Sequence, residues 1–205
     1  MNKRQLQSSQ TKKRVADSAR ALFVQKGYAA TSIEDIVNAT GSSKGNIYYH
    51  FKSKEGLFLY LIDEWERDWN EKWKEKEPHF KTVKDKLYGF AEHMVVEDLN
   101  HPLTKAANEF FNKEEKEHDI EERIHTLMAS HIEFNKNLIQ QGIDSGELSN
   151  HKDTHGLALI FEGLFIGLSQ VSSQSSMPAA LELYKQAIEV FLYGISASMQ
   201  NGAKL

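Results

Sequence analysis

This chain of 205 residues is predicted to be all-α, and three observations carry that prediction. Apolar residues recur at intervals of three and four along almost its whole length, no stretch alternates apolar with polar residues, and only three prolines interrupt it. The same periodicity, read with the turn residues between the periodic stretches, sets out the helices in order.

Residues 9–26 form the first predicted helix, with Val15, Ala19, Leu22 and Phe23 on one face and Gly27 where a helix ends. A short second helix follows, in which Thr31 or Ser32 is the cap, Ile33, Ile36 and Val37 the apolar positions, and Glu34 and Asp35 the acids favoured in a first turn. Gly41 supplies a left-handed turn. Ser42 or Ser43 then caps a third helix from Lys44, whose run KGNIYYHF turns Ile47 and Phe51 inward and leaves donors and rings on the other side. Two short helices around a glycine turn, the second basic and aromatic, form a helix-turn-helix suited to the major groove. A fourth helix is expected from Lys54 to residue 77, stopping before Pro78. Further helices are expected over 80–99, 103–113, 120–143, 154–173 and 178–200, with breaks at 100–102, 144–146 and 172–178.

The rhythm of Ala19, Phe23, Gly27, Tyr28, Thr31, Ile36, Gly41, Gly45, Tyr48, Tyr49, Phe51, Lys54, Glu55 and Leu57 resembles the amino-terminal DNA-binding domain of the TetR family of transcriptional regulators. Within that family SSKGNIYYHFKSKEGLF and the tryptophan-rich EWERDWNEKWKEKE are most similar to the QacR-like, multidrug-sensing branch. The resemblance implies a three-helix DNA-binding domain over 1–54 and a larger helical ligand-binding and dimerisation domain over 55–205.

Charge agrees with that division. Residues 1–56 carry ten lysines and arginines against four acids, so of 25 basic and 29 acidic residues in all, the remainder holds 15 against 25. The basic end is the DNA end. Thr31, Ser42, Ser43, Lys44, Lys52 and Lys54 are expected to meet phosphates, Ser32 is counted with them at the DNA surface, and Tyr49 and His50 are further hydrogen-bonding candidates. Base reading is assigned to Lys44, Gly45, Asn46 and Tyr48, because lysine can approach guanine, asparagine can pair with adenine, and glycine lets the backbone come close.

For the acidic end, an effector site needs apolar walls and a few polar groups. Trp65, Glu66 and Trp69 on the fourth helix are candidates, as are Asp98, His101, Phe110, Phe111, His131, Phe134, Phe161 and Phe165. Aromatic faces attract cations, which fits the sensing of lipophilic cations that the resemblance implies. The bland alternative is that these rings fill the core.

No cysteine is present, which excludes disulfides and thiolate chemistry. His151 and His155 are four apart, but 146–152 reads as a loop, no cysteine is available and no helical glutamate stands beside the first histidine, so no metal or other cofactor is expected. Neither a phosphate-binding glycine loop nor a nucleophile motif marks an enzyme. The amino terminus lacks a signal-peptide core, and the most apolar run, 157–168, is interrupted by Glu162 and falls short of the roughly 20 residues a bilayer requires, so a cytoplasmic protein without a membrane partner is expected.

The last two helices carry apolar stripes broader than one buried face requires. Gly163, Gly167, Ile188, Phe191 and Ile195 are assigned to a homodimer interface, which would set two reading helices on a palindromic operator. The function read from the sequence is a DNA-binding regulator, a repressor by family resemblance, released by a lipophilic small molecule. That molecule is cationic in the first reading and a fatty acyl or other neutral metabolite in the alternative. A reading of another class is a non-regulatory small-molecule binding protein whose helix-turn-helix is structural.

Overall fold

The computed structural model describes residues 3–149 and 153–194, and among these there is no strand. The helices are α1 (Lys3–Lys26), α2 (Ile33–Thr40), α3 (Lys44–Phe51), α4 (Lys54–Lys76), α5 (Val83–His93), α6 (Thr104–Phe111), α7 (His118–Asp144), α8 (Thr154–Val171) and α9 (Met177–Tyr193), with a 3-10 turn at Glu77–His79 and a π-helical turn at Met94–Leu99. The all-α class is as predicted. Packing divides the chain into two compact units, Met1–Lys76 with Asn100–Ala129, and Glu77–Leu99 with Ser130–Leu205. This departs from a boundary after residue 54, because α4 and the 100–129 segment share a core with the first three helices.

In the first unit the apolar periodicity of α1 buries Val15, Ala19 and Phe23 against Ile36 of α2, Ile47 and Phe51 of α3, and Leu57, Phe58 and Leu61 of α4. Phe23, Tyr28, Phe58 and Phe110 form its aromatic centre, with ring centroids 4.9–5.0 Å apart across Phe23–Phe58, Tyr28–Phe58, Tyr28–Phe110 and Phe58–Phe110. Such edge-to-face and tilted packing adds to the burial of large apolar surface. Phe110, expected at an effector site, is thus fully buried in this core, and Phe111 packs against it at 5.3 Å. Their burial is explained by packing alone.

The local chemistry of the helix-turn-helix resolves the choices the sequence left open. Ser32 is the cap of α2, accepting from the Asp35 N–H while Asp35 accepts from the Ser32 N–H. Ser43 is the cap of α3, accepting from the Asn46 N–H at 3.2 Å. Gly41 takes φ 63°, which an L side chain resists, and its N–H closes α2 on the Val37 carbonyl. At the start of α4 a Cβ on Gly56 would lie 2.1 Å from the Phe51 carbonyl oxygen, a backbone atom that cannot step aside. Gly56→Ala is therefore expected to force α3 and α4 apart and to destabilise the protein by about 1–3 kcal/mol, read as a lowered thermal midpoint in circular dichroism.

In the second unit α5 begins at Val83 rather than residue 80, because two side chains satisfy its first N–H groups. Thr82 accepts from the Asp85 N–H at 3.0 Å, and the Glu147 carboxylate accepts from Val83 at 3.0 Å and Lys84 at 3.3 Å. The helix dipole favours such a carboxylate, and these bonds hold Glu147 below its ordinary pKa. The core here is aromatic. Phe90 meets Phe134, Phe161 and Phe165 at 5.8, 5.5 and 5.1 Å, and Phe165 meets Tyr184 at 5.5 Å.

Ile188 is fully buried in this same unit, so it is a core residue of one subunit and not an interface residue. Phe191 is half-buried against Phe161 at 4.9 Å, and Ile195 lies outside the described residues. The other face of α8 is bare: Leu159, Ile160, Ile166 and Val171 are exposed, and a Cβ at Gly163 or Gly167 would touch nothing. At 18 residues α8 has the length and apolar composition of a membrane span, longer than the run read from the sequence, although only 22% of it is buried.

Candidate functional site

The capped turns of α2 and α3 decide which side chains remain available at the basic end. Thr31 is buried and its hydroxyl donates to the Gly27 carbonyl at 2.7 Å, so burial withdraws it from the phosphate role expected of it. Ser42 is also buried and accepts from the Asn46 amide at 3.3 Å. The Ser32 and Ser43 hydroxyls are engaged in their caps. The Lys54 ammonium lies over the Tyr28 ring at 4.2 Å, and burial lowers its pKa, so this cation braces the unit interior. The sequence could not see these internal partners.

What α3 leaves outward is a compact set. Lys44 and Gly45 are exposed, nothing lies near Gly45, Tyr48 is 42% exposed and Tyr49 is 79% exposed. Asn46 and His50 are half-buried, and His50 is pushed below its ordinary pKa by burial and by nearby Lys12. Lys44 is paired with Glu34 at 3.0 Å, which raises the lysine pKa and lowers that of the acid. Beside Tyr49, the first turns of α1 bring Gln5, Ser8, Ser9 and Lys12 around a cleft of about 420 Å³. The Lys12 ammonium sits 4.1 Å over the Tyr60 ring. The predicted first helix began at residue 9, so Gln5 and Ser8 were missed; their stretch has no apolar periodicity to announce it.

Two acids hold this end in shape. Asp35 accepts from Lys26 at 2.8 Å and from the Ser32 N–H and hydroxyl at 2.9 and 2.7 Å, and these donors, Lys26 first, hold its pKa well below the usual carboxylate range. A depressed folded pKa stabilises the fold at neutral pH, and that contribution disappears as pH falls through the carboxylate range toward the folded value. Asp35→Asn is therefore expected to lower the melting temperature at pH 7, with the gap to the parent narrowing below about pH 4, as thermal melts across a pH series would record. Glu109, on α6, accepts from the Ala29 N–H at 3.0 Å and so ties that helix to the turn between α1 and α2. No sequence motif pointed to it.

The expected effector residues fall into two groups. In the first unit Trp65 stacks on His101 with centroids 3.9 Å apart and planes 14° apart, and its buried indole N–H has no hydrogen-bond partner. Trp69 stacks on Trp73 at 6.1 Å, and the Glu66 carbonyl accepts from the Asn70 side chain. In the second unit Asp98 lies in the π-helical turn, His131 faces a carboxylate of α8, and Phe134, Phe161 and Phe165 belong to the aromatic cluster. There Phe161 and Phe165 are buried by other rings.

Glu162, absent from the expected set, stands among them. Its carboxylate faces His131 Nδ1 at 3.4 Å and accepts from Asn135 Nδ2 at 2.7 Å. The signal was available: it is the one acid within the most apolar run of the sequence. No group of three or more metal-ligating side chains occurs among the described residues, and His151 lies outside them.

Residues 15–61 match the family model of bacterial regulatory proteins, tetR family, and residues 65–197 match that of the QacR-like protein, C-terminal region. The HTH-type transcriptional regulator QacR of Staphylococcus aureus is 30% identical over 185 residues, covering 90% of this chain and 98% of that one. Among solved structures, a TetR transcriptional regulator from Chloroflexus aurantiacus is 28% identical with a TM-score of 0.71, covering 90% of this chain and 95% of its own. The regulator FadR from Bacillus subtilis, in complex with stearoyl-CoA, has the same fold at a TM-score of 0.77 and 19% identity, covering 89% and 98%.

Proposed function

From the chain's membership of the TetR family of bacterial transcriptional regulators, we propose that it is a cytoplasmic, homodimeric repressor released from a palindromic operator by a lipophilic cation. One observation carries the DNA half of this reading: a fully packed helix-turn-helix uses its serines and threonine internally and leaves Lys44, Gly45, Tyr48 and Tyr49 outward on α3. A lysine and a side-chain-free backbone position on a major-groove helix read bases, while Tyr49 and the Ser8, Ser9 and Lys12 cleft hold the phosphate backbone.

The effector half rests on Glu162, whose carboxylate joins α8 to His131 and Asn135 of α7, the two helices that also bring Phe134, Phe161 and Phe165 to Phe90, since rings and a carboxylate together attract an apolar cation. Release requires that the effector bind the DNA-free state more tightly than the DNA-bound one; equal affinity would shift nothing.

Band shift on the gene's own upstream DNA, run beside tryptophan fluorescence with cationic dyes, neutral lipophiles and acyl thioesters, tests both halves. The expected result is a shift that survives competition by scrambled duplex and is reversed by the cations. No preference over scrambled duplex would refute the regulator, and release by acyl thioesters alone would replace the effector class.

A further inference from the structure

Among the described residues of the second unit, Asn135 carries a buried polar atom that the fold does not satisfy. It is 2% exposed on α7, its Nδ2 donates to Glu162 at 2.7 Å, and its Oδ1 is buried with no hydrogen-bond partner. The orientation of the amide is fixed by chemistry: a carboxylate accepts only, so the amide must turn its NH₂ toward Glu162 and leave its carbonyl oxygen unmatched. A buried acceptor without a donor is costly and rare in a finished fold. Beside it, Glu162 has accepting capacity left after its bond to Asn135, and its side chain is 16% exposed, so the pair is not sealed from outside. Two acceptors therefore lie side by side on the helices that carry Phe134, Phe161 and Phe165, and one of them, Asn135 Oδ1, has no donor.

We propose that the effector presents an N–H donor on a positive centre, a protonated amine or amidine, which bonds to Asn135 Oδ1 and pairs with Glu162. The inference rests on the reading of this cluster as the effector site and narrows it. A cation that is only positive, such as a quaternary ammonium, gains from Glu162 and the rings but leaves Asn135 Oδ1 unmatched. A site built to hydrogen-bond a ligand N–H discriminates against the analogue that lacks it far more strongly than an apolar pocket discriminates by size. His131, which faces the same carboxylate at 3.4 Å, limits how many ligand donors Glu162 can accept.

The test is calorimetric titration of the full-length protein with a matched pair, the tricyclic tertiary amine imipramine, protonated at neutral pH, and its N-methyl quaternary derivative. The amine is expected to bind about 10- to 100-fold more tightly. In Asn135→Leu that preference should vanish, and in Glu162→Gln both compounds should weaken, with thermal melts verifying that each variant folds. Should a variant not fold, the ratio measured on the parent protein decides alone.

Equal affinities in the parent, abolished together in Glu162→Gln, would overturn the N–H requirement while leaving the cluster as a cation site. Binding of either compound unchanged by both substitutions, or no binding at all, would overturn the site itself and the proposal with it.

Discussion

Alanine at Lys44 and Tyr49 together is expected to weaken operator binding by roughly 10⁴-fold, about tenfold for each of these side chains at each of two half-sites. Both side chains stand clear of the core, so the weakening would come without unfolding. The lysine has a second effect. In the free protein it is paired with Glu34 at 3.0 Å with both side chains more than half exposed, a pairing that contributes little and is readily exchanged for a DNA partner. Removing Lys44 uncovers the Glu34 carboxylate on the face that meets phosphates, so Lys44→Ala should cost more than its own DNA interaction, and adding Glu34→Gln should restore part of the affinity. The slope of log affinity against log salt should also fall for each lysine taken away from the phosphates. Band shifts at several salt concentrations read all three quantities, and a double variant within about threefold of the parent would show that α3 is a packing element.

The features legible in the sequence were those set by neighbours along the chain. Ser32, Asp35, Gly41 and Ser43 act within three or four residues of themselves, so cap, turn and helix start could be read from spacing. The opening turns of α1 could not, because they carry Leu6 as their lone large apolar residue and it is 47% exposed. A helix polar on every side has no period to detect. Partners that meet only in the folded turns were hidden as well. Thr31 looked available because the Gly27 carbonyl that accepts its hydrogen bond is revealed only once the turn has folded, and Lys54 because the Tyr28 ring beneath it comes from the turn after α1.

The effector residues show a further limit. Helical spacing tells which face of a helix is apolar but not what covers it, so Phe110 in a core and Phe134 beside a polar pair look alike in the sequence. A better signal is a polar residue placed where burial makes it costly, as Glu162 is within the apolar run of α8 and Asn135 is at 2% exposure.

Ile160→Glu is expected to leave the chain folded and to split the dimer. Ile160 is 63% exposed in the single chain, so a carboxylate there meets water and disturbs no subunit packing. Its neighbours on the same face, Leu159, Gly163, Ile166, Gly167 and Val171, give α8 a bare apolar stripe. An exposed apolar helix face of this kind marks a contact with a partner, and its glycines would let a second helix approach closely. Within such a contact the new carboxylate has no cation opposite it, and an unpaired buried charge is strongly unfavourable. Sedimentation should therefore report twice the 23.4 kDa chain mass for the parent and a single chain for the variant. Operator binding should fall with it although every DNA-contacting residue is intact, because two linked heads bind with an effective concentration that separate heads lack. A variant that remains dimeric and retains the operator would remove α8 from the interface, and the bare stripe would then require another partner.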